Sequence, residues 1–191
     1  MKTRTRIILL IFSIILSAKA FSQQMPGMQH SEKDIKAGQS AEVTKAIAIL
    51  WSAANSQVQG AVLFEKADKG IKITADISGL TPGKHGFHIH EFGDCSSADY
   101  MSAGPHFMIS GESHGAPSDQ MSHKGDLGNL VADSTGKAHL EWIDPNISFT
   151  GPNSILGRSV IVHEKEDDLK TQPTGNSGAR IACGTIGIAR P

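Results

Sequence analysis

No block of basic residues interrupts this sequence. Lysine and arginine number 18 against 19 acidic residues, a net charge of −1. A chain without a basic stripe has nothing to neutralise a phosphate backbone, which argues against nucleic acid as a partner. Cysteine is scarce too: the two are Cys95 and Cys183, and no C-x-x-C spacing exists to build a thiolate metal site. No stretch carries a sustained helical period. The one long apolar run, Ile7 to Ser17, is too short to span a bilayer comfortably. What the chain does have is short alternating segments, 20 glycines and nine histidines.

The apolar run follows Lys2, Arg4 and Arg6 and ends at Ala18-Lys19-Ala20, a small-x-small pattern. Residues 1–20 therefore read as a secretory signal peptide. No cysteine lies near the cut, so no lipid anchor is expected. Removing this segment takes away four basic residues and leaves 14 against 19, a net charge of −5. The mature chain is then exported, periplasmic or secreted, with no membrane segment. In an oxidising compartment an even pair of cysteines favours a disulfide. It would close a loop of nearly ninety residues, for which chain entropy gives roughly 4–5 kcal/mol. Residues 21–43 lack apolar periodicity and read as a flexible leader. Its Met25, Met28 and His30 are soft and borderline donors that could hold copper, though an unstructured tail needs no such role.

From Thr44 the pattern is that of strands. Lys45–Leu50, Gln57–Glu65 and Ile71–Ile77 alternate or are β-branched, with Asp68-Lys69-Gly70 as a turn. Further strands follow at His85–His90, Gly128–Ala132, Lys137–Ile143, Ser159–His163 and Ile181–Ile188. Residues 44–191 thus form one all-β domain, a sandwich or barrel. Two long loops interrupt it, Gly93 to about Asp126 and Glu164 to Arg180. Loops this long in a compact domain are usually functional.

The first loop and the strands around it carry the chemistry. His88 and His90 stand two apart in a strand, so both project to one face while Phe87 and Ile89 go to the other. His106, His114, His123 and Asp126 lie in the loop, and His163 ends a strand. Seven such donors are too many for one tetrahedral ion and suit two. The strand histidines belong with one metal, and the loop histidines with Asp126 belong with the other. An imidazole-only set suits copper, and imidazoles with a carboxylate suit Zn²⁺. Two neighbouring ions could share an imidazole, but these residues alone leave open which one.

Several segments resemble the copper–zinc superoxide dismutases. They are Gly86-Phe87-His88-Ile89-His90-Glu91-Phe92-Gly93-Asp94, Ser102-Ala103-Gly104-Pro105-His106-Phe107, His123-x-Gly125-Asp126-Leu127-Gly128-Asn129, Val162-His163-Glu164-Lys165 and Gly175-Asn176-x-Gly178-x-Arg180-x-Ala182-Cys183-Gly184-x-Ile186-Gly187. The resemblance runs from about Thr44 to Arg190 and implies an eight-stranded Greek-key barrel. It implies that His88, His90 and His163 hold copper and that His106 bridges copper and zinc. It implies His114, His123 and Asp126 as the other zinc ligands. Arg180 matches the arginine that holds the anionic substrate. Asp167 matches the carboxylate linking a copper ligand to a zinc ligand, and His85 matches a structural histidine. Cys95 and Cys183 match the family disulfide, with Cys95 spaced as in bacterial members. Met108 departs from an asparagine common after the bridging motif. The second loop is shorter than in animal enzymes and lacks their charged insertion.

The resemblance implies disproportionation of superoxide to dioxygen and hydrogen peroxide. Arg180 supplies a planar, permanently charged fork for a small anion. The alternatives are an exported copper carrier on the same fold and a zinc hydrolase. The carrier is disfavoured because every copper ligand and the arginine are present. The hydrolase is disfavoured because the zinc set leaves no open position. Ile47, Ile49, Phe92, Gly93, Leu156, Gly157 and Ile188 match an animal-type dimer interface, so a homodimer is expected.

Overall fold

The computed structural model describes residues 42–191; the segments read as signal peptide and leader lie, up to residue 41, outside the described residues. Nine strands follow in order: β1 Lys45–Ser52, β2 Gln59–Ala67, β3 Gly70–Ser78, β4 Gly83–His90, β5 Asp126–Ala132, β6 Ala138–Asp144, β7 Ser159–His163, β8 Arg180–Thr185 and the two-residue β9 Gly187–Ile188. All pairings are antiparallel, in the order β5-β4-β7-β8-β1-β2-β3-β6, with β9 beside β1. The connections β3 to β4 and β6 to β7 pass between strands that are not neighbours, which makes the topology a Greek key. The ends of the order, β5 and β6, are joined by the turn at Asp133, where Asp133 N–H donates to Lys137 O (2.8 Å). The sheet is therefore an almost closed eight-stranded barrel, as the alternation predicts. Among the described residues no helix is long and apolar enough to cross a membrane.

Alternation explains the interior. Ala46, Ala48 and Leu50 of β1, Val62 and Phe64 of β2, Ile71, Ile73, Ala75 and Ile77 of β3, and Phe87 and Ile89 of β4 all point inward and are buried. The outward face of one wall has its own small core. Ile161 and Cys183 pack there with Tyr100 and Ala103 under the loop after β4. Most boundaries differ from the sequence reading by one or two residues, and those around the loops have physical causes. β4 begins at Gly83, two residues early, and Asp126 and Leu127 already belong to β5. A bulge between β4 and β5 hid this, because it breaks the period of two beside Gly128 (φ 77°). The last strand splits at Ile186 into β8 and β9.

Cys95 and Cys183 are joined in a disulfide, with Cα atoms 5.8 Å apart. It ties the loop after β4 to β8.

Candidate metal centre

His88 and His90 sit on β4 and are fully buried on its outward face. His163 reaches the same place from the end of β7, where a register shift opposite Arg180 re-aims it. His106 is delivered by backbone pairing. Glu91 N–H donates to Pro105 O (2.9 Å) and Phe107 N–H to Ile89 O (2.8 Å), so the loop runs antiparallel beside the end of β4. Asp126 opens β5 directly across from His88. His114 is gripped by the second loop: its N–H donates to Gln172 Oε1 and Gln172 Nε2 donates back to its carbonyl, both at 2.8 Å.

These placements create two clusters. His88, His90, His106 and His163 bring one donor atom each within 4.8 Å of one another, and so do His106, His114, His123 and Asp126. His106 belongs to both. In the second cluster the Nδ1 atoms of His106, His114 and His123 face one oxygen, Asp126 Oδ1, at 2.8, 3.1 and 3.3 Å. Ligands about 2.0 Å from a tetrahedral Zn²⁺ would stand roughly 3.3 Å apart. In the first cluster His90 Nε2 and His163 Nε2 face each other at 3.4 Å. His88 Nδ1, His106 Nε2 and His114 Nδ1 are buried with no hydrogen-bond partner. Orphaned buried nitrogens are costly unless something binds them. All three point into the clusters, so the donor sets fit two ions.

The far nitrogens of His88, His90, His114 and His163 are occupied. His88 Nε2 donates to Asp167 Oδ2 (2.8 Å) and His114 Nε2 to Asp167 Oδ1 (2.9 Å), so one carboxylate orients a ring from each cluster. His90 Nδ1 donates to Gly104 O (2.9 Å) and His163 Nδ1 to Gly178 O (3.3 Å). Such partners fix which nitrogen is left for a metal. Asp167 is itself held by Asn129, whose Oδ1 accepts from Asp167 N–H and whose Nδ2 donates to its carbonyl. Burial holds the His88, His90 and His163 rings below their usual pKa. Burial, with the charge of His88 beside it, holds His106 at about 4. These rings are neutral at pH 7, the state a ligand needs. His114 goes the other way: burial opposes its charge, but the carboxylates of Asp126 and Asp167 raise it to about 9. Both carboxylates lie well below the usual range despite burial, because histidines hydrogen-bond them.

Arg180, the first residue of β8, lines an open mouth together with His163, Met101 and Asp99. Its guanidinium donates to Tyr100 O (2.6 Å) and Gly104 O (2.7 Å). Gly104 O thus accepts from both Arg180 and His90.

A family profile described as "Copper/zinc superoxide dismutase (SODC)" matches residues 58–186. The chain belongs to the copper/zinc superoxide dismutase family. An extracellular superoxide dismutase [Cu-Zn] of Brugia pahangi is 44% identical over 153 residues, 75% of this chain and 76% of that one. The solved crystal structure of a clock protein, EA4, superposes with a TM-score of 0.73 at 38% identity, covering 80% of this chain and 99% of that one. As a superoxide dismutase the chain is an oxidoreductase that converts superoxide to dioxygen and hydrogen peroxide, with copper and zinc as cofactors.

His85 lies beside the superoxide dismutase site without entering either cluster. Its Nδ1–H donates to the carbonyl of His163 (2.9 Å), and its Nε2 faces the Thr81 hydroxyl at 3.2 Å. His139 pairs with Asp76 on the outside of β6, away from the clusters. Sequence reasoning missed Gly104, Gln172 and the clamp by Asn129. Gly104 and the Asn129 clamp act wholly or partly through backbone atoms, which every residue has. Gly104 and Asn129, each inside a quoted motif, left a trace, and Gln172 left none.

Proposed function

We propose that the first cluster is the copper site and the second the zinc site of this dismutase. His88 through Nδ1, and His90, His106 and His163 through Nε2, would hold copper. His106, His114 and His123 through Nδ1, with Asp126, would hold zinc. The single observation that carries this is the pair of orphaned nitrogens, His88 Nδ1 and His106 Nε2, beside the facing Nε2 atoms of His90 and His163. Bound copper supplies the one-electron exchange that zinc lacks. The chain's own residues do the rest. His106 Nδ1 is committed to the Asp126 side, so Nε2 is the ring atom free to take up and return a proton on the substrate side. Arg180 attracts and positions superoxide. Asp167 keeps His88 and His114 in their tautomers.

The test is metal analysis, electron paramagnetic resonance and superoxide consumption on the loaded protein. His163→Ala should lose the copper signal and turnover while keeping zinc. Undiminished turnover in that variant would sink the assignment. A copper carrier would give the wild-type copper signal without catalytic consumption.

Three finer readings belong with this one. Residues 1–20 act as a signal peptide and 21–43 as a leader, so the enzyme is exported to the periplasm or secreted; the extracellular relative supports export. Met25, Met28 and His30 would then travel with the enzyme. The protein forms a homodimer. Ile49, Phe92 and Ile188 are exposed at 46, 55 and 67%, an apolar group that calls for a partner. Ile47 and Leu156 are half-buried, and Leu156 also packs on the core. Gly93 and Gly157 have an internal reason as well, since a Cβ on Gly93 would lie 2.2 Å from Gly157 O.

A further inference from the structure

The loop that carries His114 and His123 holds a second feature that the reaction does not use. Lys124 Nζ lies 2.7 Å from Glu112 Oε1, and their side chains are only 16% and 8% exposed. It is the least exposed lysine– or arginine–carboxylate pair among the described residues. Lys124 stands between His123 and Gly125, and Gly125 is clamped to the barrel: its N–H donates to Phe107 O and its carbonyl accepts from Ile89 N–H, both at 2.8 Å. Glu112 is two residues before His114, and its other oxygen accepts from Ile109 N–H (2.7 Å). Inside the pair the loop is crossed by Ser113 N–H to Met121 O (3.0 Å) and His123 N–H to Ser113 O (3.2 Å). The pair therefore closes the neck of a ring that contains both histidines. The charge of Lys124 also favours the ionisation of buried Asp144 at the end of β6.

We propose that Glu112 and Lys124 are positioning residues for zinc: their ion pair locks the two ends of the 112–124 segment so that His114 and His123 stand ready beside Asp126. This rests on reading that cluster as the zinc site. A nearly buried pair earns little fold stability by itself, because desolvation offsets the attraction. It does fix geometry, and groups that orient metal ligands typically change affinity 10–100-fold when removed.

The experiment uses the full disulfide-bonded protein loaded with copper and zinc. Zinc release to a chromogenic chelator is timed, and Co²⁺ replaces zinc in parallel samples for its d–d spectrum. Glu112→Gln keeps the acceptor for Ile109 N–H and removes only the charge. It should release zinc about tenfold faster, at the low end of that range because it acts through the loop backbone. Its cobalt bands should shift or broaden. Lys124→Gln reaches the same pair from the other partner and should match it, whereas Lys124→Arg should stay near wild type. Wild-type release rates and cobalt spectra in both glutamine variants, with only a lowered melting temperature, would overturn the inference and leave a merely structural pair. If the wild type holds no zinc that His123→Ala removes, the reading of the site fails, and the inference with it.

Discussion

Gly175 shows how little room the site leaves around a single atom. Its φ is +65°, and a Cβ there would stand 1.7 Å from Asp167 Oδ1 and 2.5 Å from His114 Nε2. Gly175→Ala should therefore push Asp167 off His114 and weaken zinc binding about 10–100-fold, measured by chelator competition. The backbone strain adds a cost of about 1–2 kcal/mol. Asp144 tests the pH dependence. Burial raises its pKa above the ordinary carboxylate value. The unfolded chain then ionises more easily than the folded one. Stability is therefore lost as pH rises from the unfolded pKa towards the folded one, and the deficit persists at neutral pH. Asp144→Asn should melt higher than wild type at pH 7, and the gain should vanish once pH falls below the ordinary carboxylate value. At this scale the sequence was legible where a side chain does the work. His88, His90 and the loop donors have the right chemistry in view. It was mute where a carbonyl does the work, as at Gly104; residue chemistry alone left open which ring serves two clusters, and the family resemblance pointed to His106.

Strands were legible because one face of each is packed and the other is not. β1, β2 and β3 alternate cleanly, and their registers leave no ambiguity about the inner face. β7 was legible at its true bounds, Ser159–His163, and β4 at its true end, His90; both are continuous buried runs, and only the start of β4, at the exposed Gly83 and Lys84, was missed. The division into strand and loop donors was readable from the chain, but the meeting of β4, β5 and β7 depends on which strands the Greek key sets side by side. The loop after β4 is anchored from three directions: the Cys95–Cys183 disulfide, the Tyr100 hydroxyl donating to Trp51 O (2.9 Å), and Arg180. Reducing the disulfide should lower stability by about 2–5 kcal/mol. It should also loosen the Tyr100–Gly104 segment that Arg180 and His90 share. Calorimetry and initial rates, before and after reduction with metals retained, should show both losses together. Loss of stability at unchanged rate would mean that the loop does not need its tether.

For the whole molecule, the apolar group of Ile49, Phe92 and Ile188 predicts a dimer, and light scattering should return twice the chain mass at micromolar concentration. Phe92→Glu should halve that mass without removing metal. Loss of residues 1–20 as proposed would leave a net charge of −5 that opposes the approach of an anion, so attraction would have to come from the mouth. Arg180→Lys should lose part of the rate and Arg180→Glu far more, with metal content unchanged in both. Added salt should slow the wild type as the Debye length shrinks below about 10 Å above 0.1 M. Arg180 also bears on what happens once the anion arrives. Two of its five N–H groups already rest on carbonyls of the tethered loop. In the role proposed for it, a guanidinium so held would lose little to ordering when the ion arrives. Hydrogen peroxide carries no charge, and the same fork would hold it far less tightly. Capture and release would then be made unequal by one pre-positioned side chain.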